Sequence, residues 1–192
     1  MKQEIKSQLK REAIVTATIS LVNSRGYHAT PIAKLAQLAN VSPGTIYLYF
    51  ENKQDLLNKA YLEVKGRFTK FSFANYSADL TVEENYKEIW HRIAEYKLNH
   101  IQDALFLGQC DNTPIIDEAI RQEGIILLAP LVEIIRKGIS EGILKNMSDY
   151  LFYAYSITPI SFLIVMQDRD SFNISKTSLD AAYKAAWDSI KI

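Results

Sequence analysis

Phenolic hydroxyls and a lysine ammonium group are concentrated between residues 42 and 53. Tyr47, Tyr49 and Lys53 all carry groups that bind phosphate oxygens. Leu48 offers no hydrogen bond to a base, but its side chain could touch the methyl group of thymine. Gly44 would let the backbone come close to a ligand. These residue types indicate contact with nucleic acid rather than a reaction.

Two short helices joined by a tight turn are predicted to position these side chains. Thr30 can cap a helix that begins at Pro31, and Ser42 can cap a second helix that begins at Pro43. Asn40 suits the turn between them, because asparagine tolerates a left-handed backbone. The pair therefore has the organisation of a helix-turn-helix, whose second helix enters the major groove of DNA.

The second helix, Pro43 to Phe50, is predicted to be the recognition helix. Ile46 and Phe50 fall on one helical face and are expected in the core. Lys53 lies just inside the next helix, behind its cap Asn52, and is placed to bind a phosphate. The predicted DNA-contacting residues are Thr30, Ser42, Pro43, Gly44, Thr45, Tyr47, Leu48, Tyr49 and Lys53.

The stretch from Leu9 to Leu62 resembles the DNA-binding region of the tetracycline-repressor (TetR) family of bacterial transcription regulators. Two positions depart from the family pattern, since Asn40 stands where glycine is usual and Pro43 where a lysine or another polar residue is common. The second departure removes one phosphate or base contact. The matching residues are Gly26, Thr30, Leu35, Ala36, Ala39, Val41, Ser42, Gly44, Thr45, Tyr47, Tyr49, Phe50, Lys53 and Leu56.

Charge is distributed unevenly along the chain, although the formal net charge of the 192 residues is zero. Residues 1–71 contain 11 Lys or Arg against 5 Asp or Glu, a balance of +6 that leaves −6 for the rest. Neutrality argues against nucleic-acid binding, but a basic front portion indicates a local nucleic-acid face. In that portion Lys6, Lys10 and Arg11 could approach DNA or form a solvated charged face.

The remaining chain is predicted to be helical throughout, because apolar residues keep a helical period and no long stretch alternates with period two. The first helix is expected from about Ser7 to Ser24. A long helix from Asn52 to about Phe73, with Asp55 as the capping-box partner of Asn52, links the helix-turn-helix to the C-terminal half. Thr81 and Glu84 are predicted to form a capping box at the start of the next helix, and Pro159 is expected to bend a later one.

The further helices are predicted at 81–99, 101–110, 114–122, 124–142, 148–167 and 175–190. The predicted fold is all-α with about nine helices, a three-helix helix-turn-helix domain over residues 1–55 and a C-terminal helical domain over 74–192.

Catalytic and metal-binding residues are not found at the required spacings. His28, His91 and His100 fall in different elements, and the glycines form neither a P-loop nor a dinucleotide pattern. Cys110 is the only cysteine, so an intrachain disulfide is impossible and a reducing compartment is favoured. It is interpreted as a small buried residue, with a redox sensor as the alternative. We therefore expect no enzyme, no metal and no cofactor.

The resemblance to the TetR family implies an effector site and a dimer. In that family a small ligand enters the C-terminal domain, displaces the connecting helix and weakens operator binding. Tyrosines among apolar residues would suit a lipophilic or aromatic ligand with a polar end. The pocket residues expected on this basis are Trp90, Ile93, Tyr96, Phe106, Leu127, Tyr155 and Phe162. The family analogy places the dimer interface on the helices 148–167 and 175–190, with Trp187 on their apolar surface.

The 17 residues from Tyr150 to Met166 carry no charge and raise the alternative of a membrane span. The stretch contains several tyrosines and other hydroxyl residues, and it is shorter than the roughly 20 apolar residues that a spanning helix needs. A buried or subunit-facing helix, and no membrane partner, is therefore expected in a bacterial cytoplasmic protein.

Two functions fit the sequence. The first is a homodimeric transcriptional regulator, a repressor that a small-molecule effector releases from a palindromic operator in double-stranded DNA. The second is a helical ligand-binding or adaptor protein that no longer binds DNA, which would fit the neutral net charge and Pro43. Retained affinity for DNA separates the two.

Overall fold

The computed structural model describes residues 2–26 and 31–192, and in these ranges the chain forms eleven helices and no strand. The all-α prediction is confirmed, although the sequence predicts about nine helices. One isolated bridge joins Leu144 to Lys191. The helices are α1 (Lys2–Arg25), α2 (Ile32–Leu38), α3 (Pro43–Tyr47), α4 (Lys53–Ser72), α5 (Val82–Asn99), α6 (Ile101–Asn112), α7 (Glu118–Ile126), α8 (Ala129–Ser140), α9 (Asp149–Ser156), α10 (Thr158–Asp168) and α11 (Lys176–Ile190).

Two compact units make up the chain. The first spans 1–65 and 105–124, so α1, α2 and α3 share a unit with α4 up to Lys65, with the end of α6 and with most of α7. The second spans 66–104 and 125–192. The first unit therefore includes a segment that is remote in sequence from the helix-turn-helix.

The core of the first unit forms where α1 packs on α2 and α2 packs on α3. α1 begins at Lys2, before the predicted start near Ser7, because the lysines, glutamines and glutamates of its first turns are good helix formers. Its buried stripe begins only at Ile14. The most deeply buried side chains of this unit include Ile14, Leu35, Ile46, Phe50, Leu56 and Val64, each at most 1% exposed.

α5 is the central helix of the second unit and packs against α8, α10 and α11. It begins with the predicted capping box, in which Thr81 Oγ1 accepts from Glu84 N and the Glu84 carboxylate accepts from Thr81 N. The ring centroid of Tyr86 lies 5.3 Å from that of Trp187 and 5.9 Å from that of Phe152. Trp187 is only 7% exposed, so its expected place on the outer apolar surface is wrong.

The predicted helix 148–167 is divided into α9 and α10 at Ile157. Pro159 has no backbone N–H, so the helical bond from residue 159 to the Tyr155 carbonyl cannot form. Ile160 N donates to the Ile157 carbonyl, and the Ser156 carbonyl accepts from Trp90 Nε1 at 2.9 Å. This division contributes to the larger number of helices.

Residues 113–117 are not helical, although the sequence predicts a helix that opens at Pro114. Gln54 Nε2 donates to the Ile115 carbonyl at 3.0 Å, and Asn58 Nδ2 donates to Asp117 Oδ2 at 2.7 Å. Side chains of α4 thus donate hydrogen bonds to polar groups of residues 113–117, and α7 begins only after this segment.

Gly124 of α7 lies against the ring of Tyr61 in the first unit. A Cβ atom at Gly124 would come within 2.5 Å of the Tyr61 hydroxyl oxygen. The Tyr61 side chain is 1% exposed and donates to Asp111, so it has little room to turn away. We expect Gly124→Ala to lower the free energy of unfolding by about 1–3 kcal/mol, the usual cost of overpacking. Urea denaturation measures this change.

Gly108→Ala is the matched control for Gly124→Ala. Gly108 lies within α6, and a Cβ there would meet no atom within 4 Å. Alanine is the better helix former, so this variant should be unchanged or more stable by up to about 1 kcal/mol. Equal unfolding free energies for the two variants would contradict the tight packing of Gly124 on Tyr61.

Candidate nucleic-acid interface

The turn between α2 and α3 depends on Asn40, whose φ is 53°. Val41 N donates to the Ala36 carbonyl at 3.0 Å, and Ala39 N donates to the Leu35 carbonyl at 2.9 Å, which closes the end of α2. Asparagine adopts this left-handed conformation more readily than other residues that carry a Cβ atom. The expectation for Asn40 is confirmed, and its replacement of glycine leaves the turn intact.

Ser42 is the N-cap of α3, as predicted. Its backbone is extended, with φ of −76° and ψ of 153°, and its Oγ accepts from Thr45 N at 3.2 Å. The hydroxyl oxygens of Ser42 and Thr45 lie 2.9 Å apart. Pro43 takes the first helical position, ahead of Gly44, where the missing N–H of proline costs no helical hydrogen bond. Local sequence therefore determines where the recognition helix begins.

We call residues 43–50 the recognition segment, and its two faces differ sharply in exposure. Ile46 and Phe50 are each 1% exposed, whereas Tyr47 is 53% and Leu48 81% exposed. α3 ends at Tyr47, earlier than the predicted Phe50, and the N–H groups of Tyr49 and Phe50 both donate to the Ile46 carbonyl at 3.0 Å. The outward face thus carries an aromatic hydroxyl and an isobutyl group on a backbone fixed by two buried side chains.

Tyr49 and Lys53 lie at the edge of this face. Tyr49 is half-buried, and its hydroxyl oxygen lies 3.0 Å from Ser7 Oγ. Lys53 is the first residue of α4 and half-buried, and this burial lowers the pKa of its ammonium group. α2 begins at Ile32, with Pro31 as its extended N-cap, and not at Pro31 as predicted. Thr30 lies outside the described residues, as do Tyr27 and His28, so its contact with DNA stays a prediction.

The start of α4 has the predicted cap but not the predicted capping box. Asp55 N donates to Asn52 Oδ1 at 2.9 Å, so Asn52 caps the helix. The Asp55 carboxylate accepts from Glu51 N at 2.9 Å instead of from Asn52 N. Burial raises the pKa of Asp55, but hydrogen bonds from Lys59 and from Glu51 N outweigh it and hold the pKa below its usual value.

Two cations next to the recognition helix are engaged within the first unit. Arg11 pairs with Glu63 at 2.5 Å, and its guanidinium carbon lies 5.6 Å from the centroid of the Phe50 ring. Lys59 Nζ lies 5.9 Å from the same centroid and pairs with Asp55 at 2.8 Å. Arg11 therefore supports the packing of Phe50 from its place on α1.

A row of polar side chains on α4 binds the segment 105–124 within the first unit. We call Gln54, Asn58, Tyr61 and Lys65, spaced along one face of α4, the polar seam. Besides the bonds of Gln54 and Asn58 given above, Tyr61 Oη donates to Asp111 Oδ1 at 2.9 Å and Lys65 Nζ pairs with Asp111 Oδ2 at 3.1 Å. Burial, and then the Asp111 carboxylate, raise the pKa of Tyr61, so its hydroxyl stays a donor.

Sequence reasoning missed the polar seam. Asn58 is 8% and Lys65 3% exposed, although both are polar. Their spacing of seven residues, continued backward to Gln54, places them on one face of α4 beside its apolar stripe. The signal is present in this spacing, but the partner segment cannot be identified from it.

The residues predicted to line an effector pocket divide into buried and exposed groups. Trp90, Ile93 and Tyr96 lie on α5 in the second unit and are at most 3% exposed. The Tyr96 hydroxyl donates to Asp103 Oδ2 at 2.7 Å, and burial, then this bond, raise its pKa. Phe106 is fully buried in the first unit.

Leu127, Tyr155 and Phe162 are exposed, by 37%, 57% and 61%. The structure thus gathers three of the seven residues on one helix, and the pocket stays a prediction. An open groove of about 460 Å³ lies elsewhere on the second unit, and no predicted pocket residue lines it. Its lining residues are Asn75, Leu80, Glu84, Lys87, Glu88 and His91.

Groups for redox or metal chemistry are not assembled in the described residues. Within 2–26 and 31–192, no cluster of three or more His, Cys, Asp or Glu side chains is placed to hold a metal ion. Cys110 is fully buried, as predicted, and burial, together with the Asp111 carboxylate, raises the pKa of its thiol. Its thiol is therefore poorly reactive.

The stretch Asp149–Asp168 is long and apolar enough to cross a membrane by length and composition alone. In its most apolar window 28% of the residues are buried, and the helix is interrupted at Ile157. A single stretch of this kind is weak evidence for a membrane span.

Comparison with known families matches both parts of the chain. The family of bacterial regulatory proteins named after the tetracycline repressor, tetR, matches residues 14–60. The tetracycline repressor-like C-terminal domain matches residues 81–191, more than half of the chain. The protein therefore belongs to the TetR family of regulators, as the residues from Leu9 to Leu62 indicate.

Individual relatives agree with this assignment. The fatty acid metabolism regulator protein of Bacillus subtilis is 42% identical over 55 residues, which cover 29% of this chain and 28% of that protein. A TetR family transcription regulator from Marinobacter aquaeolei VT8 has the same fold, with a TM-score of 0.90 and 24% identity over 100% of this chain and 99% of its own. The transcriptional regulator FadR from Bacillus subtilis, in complex with stearoyl-CoA, has a TM-score of 0.68 and 23% identity over 92% and 95% of the two chains.

The left-handed turn at Asn40 can be tested directly. Asn40→Ala should lower the free energy of unfolding by about 1 kcal/mol, because alanine adopts a positive φ at a cost of roughly 1–2 kcal/mol. Asn40→Gly removes that cost and serves as the control. Urea denaturation measures both unfolding free energies. Equal values for the alanine and the glycine variant would contradict the assigned turn.

Proposed function

We propose that this protein is a homodimeric, sequence-specific DNA-binding repressor that a small lipophilic or aromatic ligand releases from a palindromic operator. The observation that carries the proposal is the division of residues 43–50 into a buried face, Ile46 and Phe50, and an exposed face, Tyr47 and Leu48. Leu48 is a large apolar side chain, and it is 81% exposed. A thymine methyl group in the major groove is a partner of the right size and polarity.

The residues around this face have separate roles in the proposal. Thr45 and Leu48 face the bases and provide sequence preference, while Tyr47, Tyr49 and Lys53 bind phosphates. Ser42, Pro43 and Gly44 place the start of the helix, and Thr30 contacts the backbone from the start of α2. The basic balance of residues 1–71 favours the approach of the first unit to DNA.

The effector is proposed to enter the second unit beside α5. Trp90 and Ile93 provide apolar walls and Tyr96 a polar end, which suits an elongated lipophilic molecule. The FadR structure with stearoyl-CoA, on the same fold, supports a long-chain acyl group as one member of this class. Such a ligand would need the apolar packing around α5 to open.

Dimerisation is proposed through α9, α10 and α11. Tyr150, Leu151, Tyr155 and Phe162 of α9 and α10 are 49–79% exposed, so these helices present an apolar surface. Association of two copies would bury it, and two helix-turn-helix units related by a twofold axis would recognise two half-sites. We assign this surface to the subunit interface rather than to a membrane, and we place the protein in the bacterial cytoplasm.

The alternative function is a helical ligand-binding or adaptor protein without DNA affinity. Pro43 favours this alternative, because proline lacks the phosphate or base contact that a polar side chain at this position would provide. The polar arrangement of Tyr47, Tyr49 and Lys53 favours the regulator.

Selection from random duplex DNA tests the proposal. The purified protein is expected to enrich a palindrome at moderate salt. Tyr47→Ala or Lys53→Ala should reduce recovery of all sequences, because phosphate contacts carry no sequence information. Leu48→Ala or Thr45→Ala should change the enriched sequence instead. Sequencing of the retained duplexes separates these results.

Each variant in the selection is compared with the wild type after its fold has been checked by circular dichroism. No enrichment by folded wild-type protein would contradict sequence-specific binding and favour the adaptor function. An unchanged enriched sequence in both the Leu48 and the Thr45 variants would show that α3 is not the recognition helix.

If α9 and α10 form the dimer interface, a charged side chain placed on their exposed apolar surface should keep the protein monomeric at every concentration measured. Phe162→Arg places a cation in the centre of α10, where dimerisation would leave it buried without a partner. Sedimentation velocity should give a dimer for the wild type and a monomer for this variant. Leu38→Arg is the control, because Leu38 is 50% exposed on α2 in the first unit. A monomeric wild type, or a dimeric Phe162→Arg variant, would contradict the interface.

A further inference from the structure

The second turn of α1 is joined to the recognition segment. α1 is helical from Lys2, ahead of its buried stripe, which begins at Ile14. Ser7 lies in this leading portion, and its Oγ is 3.0 Å from the hydroxyl oxygen of Tyr49. The contact bridges residues far apart in sequence and places the leading portion of α1 beside Tyr49, two residues after the end of α3.

The Ser7–Tyr49 pair keeps a hydrogen-bond donor for a further partner. Each hydroxyl carries one hydrogen, and the bond between the two oxygens uses only one of them. Whichever residue donates to the other, one O–H group remains. A phosphate oxygen is a strong acceptor for it, and a hydrogen bond to a charged acceptor is roughly twice as strong as one between neutral groups.

Lys6 and Lys10 lie on the side of α1 opposite Glu4 and Glu12. Lys6 and Lys10 are four residues apart and therefore lie on one side, and both are exposed. Glu4 and Glu12 lie with Gln8 on the other side, and Gln8 Nε2 donates to Glu12 Oε1 at 3.1 Å. At 3.6 residues per turn, Ser7 falls at the boundary between the two sides.

We propose that Lys6, Ser7 and Lys10 form a second phosphate-binding surface of the first unit, which contacts the DNA strand next to the recognition helix. This inference rests on the proposed function. Lys6 and Lys10 supply positive charge, while Ser7, through the pair with Tyr49, supplies a neutral donor. Arg11 takes no part, because it is held by Glu63 and the Phe50 ring.

The salt dependence of binding tests the two lysines. Each phosphate contact contributes about 0.9 to the slope of log K against log salt concentration. Because a dimer carries each lysine twice, Lys6→Gln with Lys10→Gln should reduce the magnitude of the slope by up to about 3.6. Fluorescence anisotropy of the selected operator duplex at several salt concentrations measures this slope.

A charge-matched control separates local contact from a general loss of positive charge. Lys70 on α4 and Lys87 on α5 are exposed in the second unit and lie outside the proposed dimer helices, so Lys70→Gln with Lys87→Gln removes the same charge. The inference requires a clearly larger change of slope for the α1 pair than for this control pair. Equal changes, or a wild-type slope for the α1 pair, would overturn it.

The role of Ser7 has a different signature. Ser7→Ala should weaken operator binding about tenfold without a change of slope, because at both half-sites it removes the Ser7 hydroxyl and leaves the Tyr49 hydroxyl without the partner that orients it. Ser7→Thr keeps the hydroxyl and should restore most of the affinity. Wild-type affinity for Ser7→Ala, with its melting temperature unchanged, would contradict the role assigned to the pair.

The proposed function and this inference fail in distinguishable ways. Wild-type protein that enriches no duplex contradicts the proposed function itself. Wild-type protein that binds the selected operator, with unchanged slope in the α1 lysine variant, contradicts only the second phosphate-binding surface.

Discussion

The burial of Ile46 and Phe50 is the interaction on which the helix-turn-helix depends. α3 has only five residues, too few to be stable as an isolated helix in water, so its position must come from packing. Both side chains are 1% exposed, and the Phe50 ring is flanked by the cations of Arg11 and Lys59. This packing fixes the backbone from the inside and leaves Tyr47 and Leu48 directed outward.

α4 connects this packing to a remote part of the chain. Its first turn carries Lys53, and its polar seam binds the segment 105–124 in the same compact unit. Asp111 is the most connected partner, since it accepts from Tyr61 and pairs with the buried Lys65. Loss of Asp111 would remove an ion-pair partner from the buried Lys65 ammonium group, which is costly. The position of Lys53 and the packing of 105–124 are therefore energetically linked through one helix.

Features of the fold that arise from neighbouring residues were predictable from the sequence. The caps at Ser42 and Thr81 and the turn at Asn40 each depend on a few adjacent positions, and the structure contains them as expected. Features that depend on remote partners were not. A bend at Pro159 follows from the sequence, but the hydrogen bond from Trp90 to the Ser156 carbonyl beside it does not. The irregular segment 113–117 is held by side chains of α4, contacts that periodicity alone does not reveal. For the same reason the exposed positions of Tyr155 and Phe162 and the burial of Trp187 could not be read from their spacing.

The central claim is that the exposed face of the recognition segment contacts the DNA bases. The reactivity of a single thiol on this face tests it. Cys110 is the only cysteine and is fully buried, so a Leu48→Cys variant has one accessible thiol, at a position that is 81% exposed in the wild type. The measurement is the alkylation rate of this thiol with and without saturating selected duplex. The account predicts that DNA slows alkylation at least about tenfold, as expected for a side chain in a closed interface. An unchanged rate, with anisotropy showing the duplex bound, would contradict it.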